Sequence, residues 1–598
     1  MNKIQEIKKE IQLQFSKNGK FTSDILTFIL KMKNLRNHYS IVKTNIEGRY
    51  INEYQSAYDS LEKLLKANPE LESEFAMISD RKITYRELRE EYTNLAKFLH
   101  YELKCKKGEN ISLCAESSVE GIVSFFALNK LGLVNARIFN GSKEDKMQKF
   151  ITDFDSETIM TDDLNIEVLG NIAKNTRIKN VILMSACPQE LVNSFKVKNP
   201  NINVYTWESV QKIGSQYIED YSETVEPTDI ASILYTSGSS GESKPISISN
   251  KVYTSMVDIV CNTTNTKKCD KEKVVGVVSH EYPYAAINST IMIILLGKTL
   301  ILPKRSEAND LDFNDLLAEK PDRIQAIPNF YKLLEEASTN GLLKSDEMSH
   351  FNSLISGGET YLLHEKKKLL KFLKTKKSSP LLIDGFGFGE LGSATALKFG
   401  LNEYFLLMNG IEAKAVDPDT LEELPLDKEG VLCFTGPTIA EGYYNNPEAT
   451  KKAFVKGKDG KKWFISDTYG LVHGRNRRLI KLGGRIREYF ITSDGRGNFV
   501  KVYAGNVEDM IASTGIIKDC IVVPSDESGT PTPVAYIALR SDCNMDSEAI
   551  INLVKERCQN LENFAQPTEY YFEEEIGRTR AGKKDYTLYK SKAISNIK

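Results

Sequence analysis

The sequence LYTSGSSGESKP, residues 234–245, is the stretch that decides the fold. It follows a short apolar run, residues 230–234, of the kind that forms a buried strand. Its glycines let the backbone bend and bring N–H groups close to a ligand, while the four hydroxyls of residues 236–240 and Lys244 add donors and one positive charge. These properties indicate a loop that binds a polyphosphate.

Two other interpretations of this stretch are weaker. The nucleotide P-loop needs Gly, four residues and then Gly-Lys-Ser/Thr, and the spacing here differs, which disfavours an ordinary kinase or GTPase. A flexible Ser/Gly linker has a similar composition, but linkers are rarely entered directly from an apolar strand.

The composition limits the classes of protein to be considered. A chain of 598 residues is too long for one hydrophobic core, so several structural units are expected. Hydrophobic residues make up 41% and charged residues 27%, as in ordinary globular proteins. The 79 basic and 81 acidic residues leave a net charge of −2, which argues against a general nucleic-acid binder.

Cysteine use and hydropathy predict a cytoplasmic protein without a membrane span. The nine cysteines are scattered, odd in number and without a C-x-x-C pair, as expected of a reduced protein. The amino terminus has no apolar signal core, and the longest apolar run, residues 291–296, is far too short to cross a bilayer.

Further motifs follow the loop in a fixed order, and together they resemble the adenylate-forming superfamily. The pattern Tyr-Thr-Ser-Gly-Ser-Ser-Gly-x-x-Lys is similar to the phosphate-binding loop of these AMP-binding enzymes. The group includes acyl- and aryl-CoA synthetases, adenylation domains of non-ribosomal peptide synthetases, and luciferase. The resemblance covers roughly residues 70–590; the later motifs lie at residues 354–359, 382–390, 442–444, 463–467, 484–485 and 579–585.

The resemblance implies an α/β fold with two parts, which follow a separate amino-terminal segment. Residues 69–486 are expected to form a large adenylation domain of layered α/β subdomains and a small β-barrel-like section. Residues 487–598 are expected to form a small, mobile α+β lid, with Arg487 at the hinge. Residues 1–68 lie outside the family pattern. Their apolar residues recur at helical spacing, which predicts a helical extension. Its residues 3–43 hold nine basic and three acidic side chains, which form either a solvated helix face or a docking surface for an acidic partner.

The reaction that the resemblance implies is ATP-dependent activation of a carboxylic acid. The carboxylate attacks the α-phosphorus of ATP, pyrophosphate leaves, and the acyl-adenylate then passes its acyl group to a thiol. Because the chain ends at Lys598, soon after the last motif, the expected acceptor is CoA or the phosphopantetheine of a separate acyl or peptidyl carrier protein. The extension, being basic, mildly favours an acidic carrier protein.

The motifs assign residues to this chemistry. Lys244, Glu390 and Lys583 match the family's catalytic positions, with Glu390 as the Mg²⁺ ligand and Lys583 bridging the substrate carboxylate and the α-phosphate. Phe386 replaces the tyrosine that stacks on adenine, and Gly389 replaces a threonine beside Glu390. The expected nucleotide-binding residues are Thr236, Ser237, Gly238, Ser239, Ser240, Gly241, Lys244, Gly358, Glu359, Asp384, Gly385, Phe386, Gly387, Asp467, Arg485 and Lys583.

The same correspondence predicts a small, polar acid pocket. Its expected lining residues are His280, Glu281, Gln325, Ser356, Gly385 and Ser393. A long acyl chain prefers an apolar tunnel, so these residues favour a small polar or amino acid, with Glu281 placed to bind an amine. Glu281 facing solvent or pairing with a lysine remains an equal alternative. Two other functions fit the residues. One is that of an acyl- or aryl-CoA ligase. The other is that of a catalytically impaired relative that binds nucleotide, which the departures from the family pattern at Gly389, Ser466 and Arg487 favour.

Overall fold

The computed structural model describes most of the chain from residue 56 onward. The chain divides into two units, Met1–Tyr54 and Gln55–Lys598, and every described residue belongs to the second. The described ranges are 56–115, 117–236, 244–264, 266, 268–277, 287–303, 312–345, 347–358, 361–418, 420–485, 489–493, 499–525, 531–541, 543–559, 561–578 and 584–596. Residues 1–55 of the predicted extension therefore lie outside them.

The helices of the described chain are distributed along its whole length. They are α1 Ala57–Ala67, α2 Tyr85–Lys97, α3 Val119–Lys130, α4 Glu144–Phe154, α5 Ile166–Ile172, α6 Gln189–Lys198, α7 Trp207–Gln216, α8 Asn250–Thr264, α9 Met292–Leu295, α10 Phe313–Ala318, α11 Pro328–Thr339, α12 Leu363–Thr375, α13 Pro447–Ala453, α14 Ala504–Ala512, α15 Ser547–Cys558 and α16 Tyr586–Asn596.

The strands alternate with these helices, as the sequence predicts. They are β1 Phe75–Ile78, β2 Lys82–Thr84, β3 Asn110–Cys114, β4 Val134–Arg137, β5 Thr158–Thr161, β6 Asn180–Leu183, β7 Asn203–Thr206, β8 Ile230–Thr236, β9 Lys244–Ser249, β10 Lys273–Val277, β11 Thr299–Ile301, β12 Arg323–Ala326, β13 Ser353–Ser356, β14 Leu381–Phe388, β15 Ser393–Phe399, β16 Phe405–Leu407, β17 Glu412–Val416, β18 Gly430–Thr435, β19 Gly442–Tyr443, β20 Phe454–Lys456, β21 Lys462–Val472, β22 Leu479–Arg485, β23 Tyr489–Ser493, β24 Phe499–Tyr503, β25 Ile517–Pro524, β26 Pro533–Leu539 and β27 Glu569–Glu573.

Two sheets build the large domain. One has the order β19-β9-β8-β4-β3-β5-β6-β7, and the other runs β17-β18-β21-β22-β16-β15-β14-β13-β12-β10-β11-β1-β2, with β20 beside β21. Strands β10, β12, β13 and β14 are mutually parallel, so their carboxyl ends meet at one edge. The predicted β-rich section consists of antiparallel strands that continue this second sheet.

Local signals in the sequence fix several helix ends. The pattern Thr84-x-x-Glu87 predicts a capping box, and the two side chains form it at the start of α2. The pattern Ser117-x-x-Glu120 predicts a cap for α3 at Ser117. In the structure the capping side chain is Ser118, whose hydroxyl accepts from the N–H of Gly121, so this prediction is wrong by one residue. Ser118 stands three residues before Gly121, which is the spacing at which an N-cap hydroxyl accepts from a backbone N–H of the first helical turn.

Helix α1 belongs to the main core of the unit. Ala57, Leu61 and Leu65 are buried, and the N–H of Tyr58 donates to Asn129 Oδ1 at 2.8 Å. This helix lies within residues 1–68, which the sequence assigns to the extension, but its apolar face contributes to the large domain.

The small carboxyl-terminal domain contains the hairpin β23–β24 and the sheet β25-β26-β27, with α14, α15 and α16. It contacts the large domain through His364 of α12, whose Nδ1 lies 2.9 Å from Asp509 Oδ1 of α14. Tyr503 Oη donates to Glu429 Oε2 at 3.4 Å. Within the part of the chain that the structure describes, no helix is long and apolar enough to cross a membrane.

Candidate active site

Glu390 lies where strand β14 ends, on a short 3-10 helix, Gly389–Leu391. Its side chain is buried, and its backbone carbonyl accepts from the N–H of Ala440 at 2.9 Å. The next residue in the turn, Gly392, has a φ of +68°, a conformation that favours glycine and lets the chain reverse into β15. The tight reversal therefore sets the position of the carboxylate at the sheet edge.

Tyr443 connects Glu390 with the beginning of β9. Its Oη donates to Glu390 Oε1 at 2.7 Å, and its ring centroid lies 5.4 Å from Lys244 Nζ. Burial and then the Glu390 carboxylate raise the pKa of Tyr443, so the phenol stays neutral and keeps its proton to donate. The charge of Asp467 also raises this pKa.

The ends of the predicted phosphate loop are held together by backbone pairing. Thr236, the last residue of β8, is opposite Lys244, the first of β9, and β9 in turn pairs with β19 through Ile246 and Tyr443. The pairing explains why Lys244 reaches the Tyr443 ring. Because Thr236 and Lys244 are paired, the chain leaves β8 and enters β9 at adjacent positions of the sheet.

Asp467 and Arg485 lie on neighbouring strands. Asp467 is half-buried in β21, and Thr468 beside it pairs with Arg485, the last residue of β22. Ser466, one of the departures from the family pattern, is buried and fully engaged: its hydroxyl donates to the Leu432 carbonyl at 2.6 Å and accepts from the Thr468 N–H at 3.1 Å. Ser466 thus supports the strand geometry under Asp467.

Phe386 belongs to an aromatic cluster beside this edge. Its ring centroid lies 5.0 Å from that of Phe388, 5.8 Å from Phe405 and 6.0 Å from Phe434. Because the ring is only half-buried, part of its surface faces outward from the cluster. A flat, partly open aromatic ring is suited to stacking on a nucleotide base.

Asp384 is buried and ion-paired with two lysines. Lys366 of α12 donates to Asp384 Oδ2, and Lys398 Nζ lies 3.2 Å from the same oxygen. Neither lysine was predicted from the sequence, because α12 and β15 are brought to Asp384 only by the tertiary fold.

The predicted pocket residues divide between the two faces of the sheet. Gln325 pairs in register with Ile355, whereas Ser356 pairs with Ala326 and with Asp384. Since successive side chains in a strand point to opposite faces, Gln325 and Ser356 do not share a face. Gln325 Oε1 accepts from Ser289 Oγ at 3.4 Å.

Ser356 is the most distinctive of the pocket residues. Its hydroxyl is buried and has no hydrogen-bond partner among the described residues, and a bound ligand or water would supply one.

Gly358, two residues after Ser356, has a φ of +85°, which again favours glycine. Gly385 and Gly387 continue β14 and Ser393 begins β15, where it pairs with Phe388.

The remaining predicted site residues lie outside the described ranges. They are Ser237, Gly238, Ser239, Ser240, Gly241, His280, Glu281, Glu359, Arg487 and Lys583.

Tyr443 is a site residue that sequence reasoning missed. The glycine before it and the aromatic pair with Tyr444 were visible as a motif, but the hydrogen bond to Glu390 spans 53 residues. No local pattern predicts such a contact.

A buried carboxylate, a lysine and a partly open aromatic ring near the ends of parallel strands are features expected of a nucleotide-binding α/β enzyme. The model of the AMP-binding enzyme family matches residues 66–444, and that of the AMP-binding enzyme C-terminal domain matches residues 506–583. The chain belongs to the AMP-binding enzyme family, which confirms the predicted adenylate-forming superfamily. It is an AMP-forming acid–thiol ligase that activates a carboxylic acid with ATP and transfers it to CoA or another thiol.

Several characterised proteins are similar over most of their length. A 4-coumarate–CoA ligase-like protein of Arabidopsis thaliana is 23% identical over 84% of this chain and 87% of its own. A long-chain-fatty-acid–CoA ligase of Bacillus subtilis is 21% identical over 84% and 89%.

Solved structures agree with the fold. The anthranilate CoA ligase AuaEII, in complex with anthranoyl-AMP, superimposes with a TM-score of 0.77 at 18% identity, covering 92% of this chain and 99% of that one. ATP-bound MatB from Rhodopseudomonas palustris has a TM-score of 0.74 at 18% identity, covering 91% and 100%. These similarities confirm the large and small α/β domains predicted from the sequence.

Proposed function

We propose that this ligase adenylates a small polar or amino acid at the site around Tyr443. The observation that carries the proposal is the partly buried hydrogen bond from Tyr443 Oη to Glu390 Oε1 at 2.7 Å, with Lys244 Nζ 5.4 Å from the centroid of the same ring. The side chain of Tyr443 thus contacts both the Glu390 carboxylate and the Lys244 ammonium, next to the paired ends of the serine- and glycine-rich loop.

Electrostatics explains why these groups belong together. A carboxylate and a triphosphate repel each other, so a site that joins them needs positive charge placed in advance where negative charge develops. Lys244 would bind the β- and γ-phosphates together with the hydroxyls and amides of residues 236–241. Lys583 would bridge the acid and the α-phosphate, where charge grows in the transition state.

Glu390 fits the role of Mg²⁺ ligand. Its carboxylate is buried and oriented by the neutral Tyr443 hydroxyl, and oxygen is the donor that this hard ion prefers. When bound, Mg²⁺ supplies neutralisation of phosphate charge. Among the described residues no group of three or more His, Cys, Asp or Glu side chains is placed to hold a metal ion. Glu390 would bind Mg²⁺ together with the phosphates of the nucleotide.

The nucleoside would bind along the same sheet edge. Phe386 would stack on the base, Asp467 would accept from the ribose hydroxyls, and Arg485 would lie beside them. The hydroxyl of Ser356, which lacks a partner among the described residues, supports a ligand at the end of β13, beside Asp384 of β14. Glu359, Gly358, Gly385 and Gly387 would complete the nucleotide site.

The acid would bind against His280, Glu281, Gln325, Ser356, Gly385 and Ser393. Glu281 would pair with an amine on the substrate. The acceptor thiol is CoA or the phosphopantetheine of a carrier protein such as those of non-ribosomal peptide synthesis. The names of the curated relatives, which are CoA ligases, favour CoA.

The domain division into residues 1–68, 69–486 and 487–598, with a hinge at Arg487, is also a proposal. The family models stop and start on either side of that hinge, at residues 444 and 506, which is compatible with it. The packing of α1 in the main core supports assigning this helix to the large domain. Dispersed cysteines support a cytoplasmic location.

The test is adenylation trapped with hydroxylamine across amino, aryl and fatty acids. We expect hydroxamate from small polar or amine-bearing acids, with release of AMP and pyrophosphate. Hydroxamate only from long-chain fatty acids would overturn the substrate proposal, and none from any acid would favour an impaired relative. Adding CoA, or a carrier protein bearing phosphopantetheine, to the reacting acid then identifies the acceptor.

A further inference from the structure

Lys462, the first residue of β21, binds the chain segment that carries Tyr443. Its Nζ donates to the carbonyl of Ala440 at 2.7 Å and to that of Glu441 at 2.9 Å. The same Nζ lies 4.6 Å from the centroid of the Phe454 ring, and this ring lies 6.0 Å from that of Tyr443. One ammonium group therefore contacts two consecutive carbonyls and an aromatic ring beside the proposed site.

The segment that Lys462 binds contacts Glu390 at two points. The N–H of Ala440 donates to the Glu390 carbonyl at 2.9 Å, and Tyr443 Oη donates to Glu390 Oε1 at 2.7 Å. A shift of residues 440–443 would therefore move hydrogen-bond partners of both the backbone and the carboxylate of Glu390.

Lys462 also joins the two sheets of the large domain at this place. Strand β19 has only two residues, Gly442 and Tyr443, and pairs with β9 at the edge of its sheet. Strand β21 belongs to the other sheet and also carries Asp467, the proposed ribose ligand. Because a two-residue edge strand has few ladder hydrogen bonds, the bonds from Lys462 matter for where the segment lies.

The environment of Lys462 differs from that of an ordinary surface lysine. The side chain is half-buried, and burial lowers the pKa of its ammonium although the charge of Glu441 opposes this. A charge withdrawn from water is tolerated when its donors are satisfied, as the two carbonyls satisfy them here. The adjacent Lys461 is exposed and pairs with Glu412 at 2.6 Å, which is the usual surface arrangement.

We propose that Lys462 is a positioning residue, which fixes residues 440–443 so that Tyr443 presents its hydroxyl to Glu390. The inference rests on the proposed function, in which Glu390 binds Mg²⁺ together with the phosphates of the nucleotide. Without the ammonium, the carbonyls of Ala440 and Glu441 lose this donor and the segment is held less firmly. Tyr443 then orients the Glu390 carboxylate for a smaller fraction of the time, which weakens the binding of Mg·ATP.

The experiment measures the binding of ATP to the full chain by calorimetry over a range of Mg²⁺ concentrations, without acid substrate. We expect Lys462→Met to raise the Mg²⁺ concentration that gives half of the maximal ATP affinity about 10-fold, because it removes two hydrogen bonds from a charged donor. Lys462→Arg keeps a cation with several N–H donors and should restore most of the wild-type Mg²⁺ dependence. Lys461→Met is the matched control and should leave that dependence unchanged.

A double variant tests whether Lys462 acts through Tyr443. If it does, Lys462→Met should add little to the change in Mg²⁺ dependence caused by Tyr443→Phe, because residues of one hydrogen-bonded network have coupled effects. Effects that multiply in the double variant would overturn the inference. Should Lys462→Met fail to fold, Lys462→Gln replaces it; its amide still donates, so the expected shift has the same direction and is smaller.

The outcomes separate this inference from the proposed function. An unchanged Mg²⁺ dependence in folded Lys462 variants, with a clear shift in Tyr443→Phe, would overturn the inference alone. A wild type that binds no ATP, or whose ATP affinity is independent of Mg²⁺, would overturn the proposed function as well.

Discussion

At the scale of single residues, the hydroxyl of Tyr443 is the group whose removal is most informative. Tyr443→Phe keeps the ring against Lys244 but removes the donor to Glu390. A hydrogen bond to a charged group contributes about 1.5–3 kcal/mol, so the rate of adenylation should fall about 10- to 100-fold and the Mg²⁺ requirement should rise. Initial rates over a range of Mg²⁺ concentrations measure both.

The adjacent tyrosine provides a matched control. Tyr444 Oη accepts from Asn110 Nδ2 at 2.9 Å instead of donating to Glu390, so Tyr444→Phe should leave the Mg²⁺ dependence unchanged. Equal effects of the two substitutions would contradict the role given to Tyr443.

The residue scale also shows what sequence can predict. Glu390 and Phe386 lie within a glycine-rich motif that follows an apolar run, so local pattern and family resemblance were enough to single them out. Tyr443, Lys366 and Lys398 act through contacts made by distant strands and helices. Their roles depend on tertiary geometry, which no local spacing contains.

At the scale of elements, a buried ion-pair network joins β25 to the start of α16. Lys584 Nζ donates to Glu508 Oε2 at 2.8 Å and to the Cys520 carbonyl at 2.6 Å. Arg578 Nη2 donates to Asp519 Oδ2 at 2.6 Å, and Arg578 pairs with Lys584 in a β-bridge. The two residues that flank the segment containing Lys583 are thus anchored to the same sheet.

Replacing Lys584 should destabilise the small domain strongly. Lys584→Met leaves the 2%-exposed side chain of Glu508 without its cation, and breaking a buried pair in this way costs about 3–5 kcal/mol. The neighbouring Lys518 pairs with Glu575 at the surface, so Lys518→Met should cost no more than about 1 kcal/mol. Urea unfolding measures both, and similar losses would contradict the assigned burial.

The same network predicts a specific acid sensitivity. Burial alone would raise the pKa of Asp519, but Lys584, Lys332 and Arg578 outweigh it and lower the pKa from its ordinary value of 3.8. A carboxyl group whose pKa is lower in the folded than in the unfolded state stabilises the fold fully above its unfolded-state pKa. This stabilisation is lost as the pH falls through the folded-state pKa. The difference in unfolding free energy between wild type and Asp519→Asn should therefore shrink between about pH 5 and pH 2. A constant difference would refute the ion pairing.

Element identity was the most predictable level of structure. The apolar runs before the glycine-rich loops became β8, β10, β12, β13 and β14, because period and turn residues agree there. The cap of α3 was misplaced by one residue, since two consecutive serines offer the same signal. The order in which the strands pair within each sheet could not be predicted, because it depends on the tertiary fold.

At the scale of the whole molecule, the proposed hinge at Arg487 predicts ligand-dependent cleavage. In the structure the small domain contacts α12 through His364 and Asp509. If the lid moves during turnover, ATP with its acid should change the rate at which trypsin cuts after Arg487. Arg487→Gln identifies the fragment that arises from this position. Identical cutting with and without ligands would argue against a hinge there.

The claim on which the account depends is that this chain forms an acyl-adenylate using a lysine near its carboxyl end. Acid-dependent exchange of pyrophosphate into ATP measures that step directly. We expect exchange by the wild type only when the acid is present, and a loss of about a hundredfold or more in Lys583→Ala with ATP binding retained. Exchange that is unchanged in Lys583→Ala, or release of ADP in place of AMP, would contradict the account.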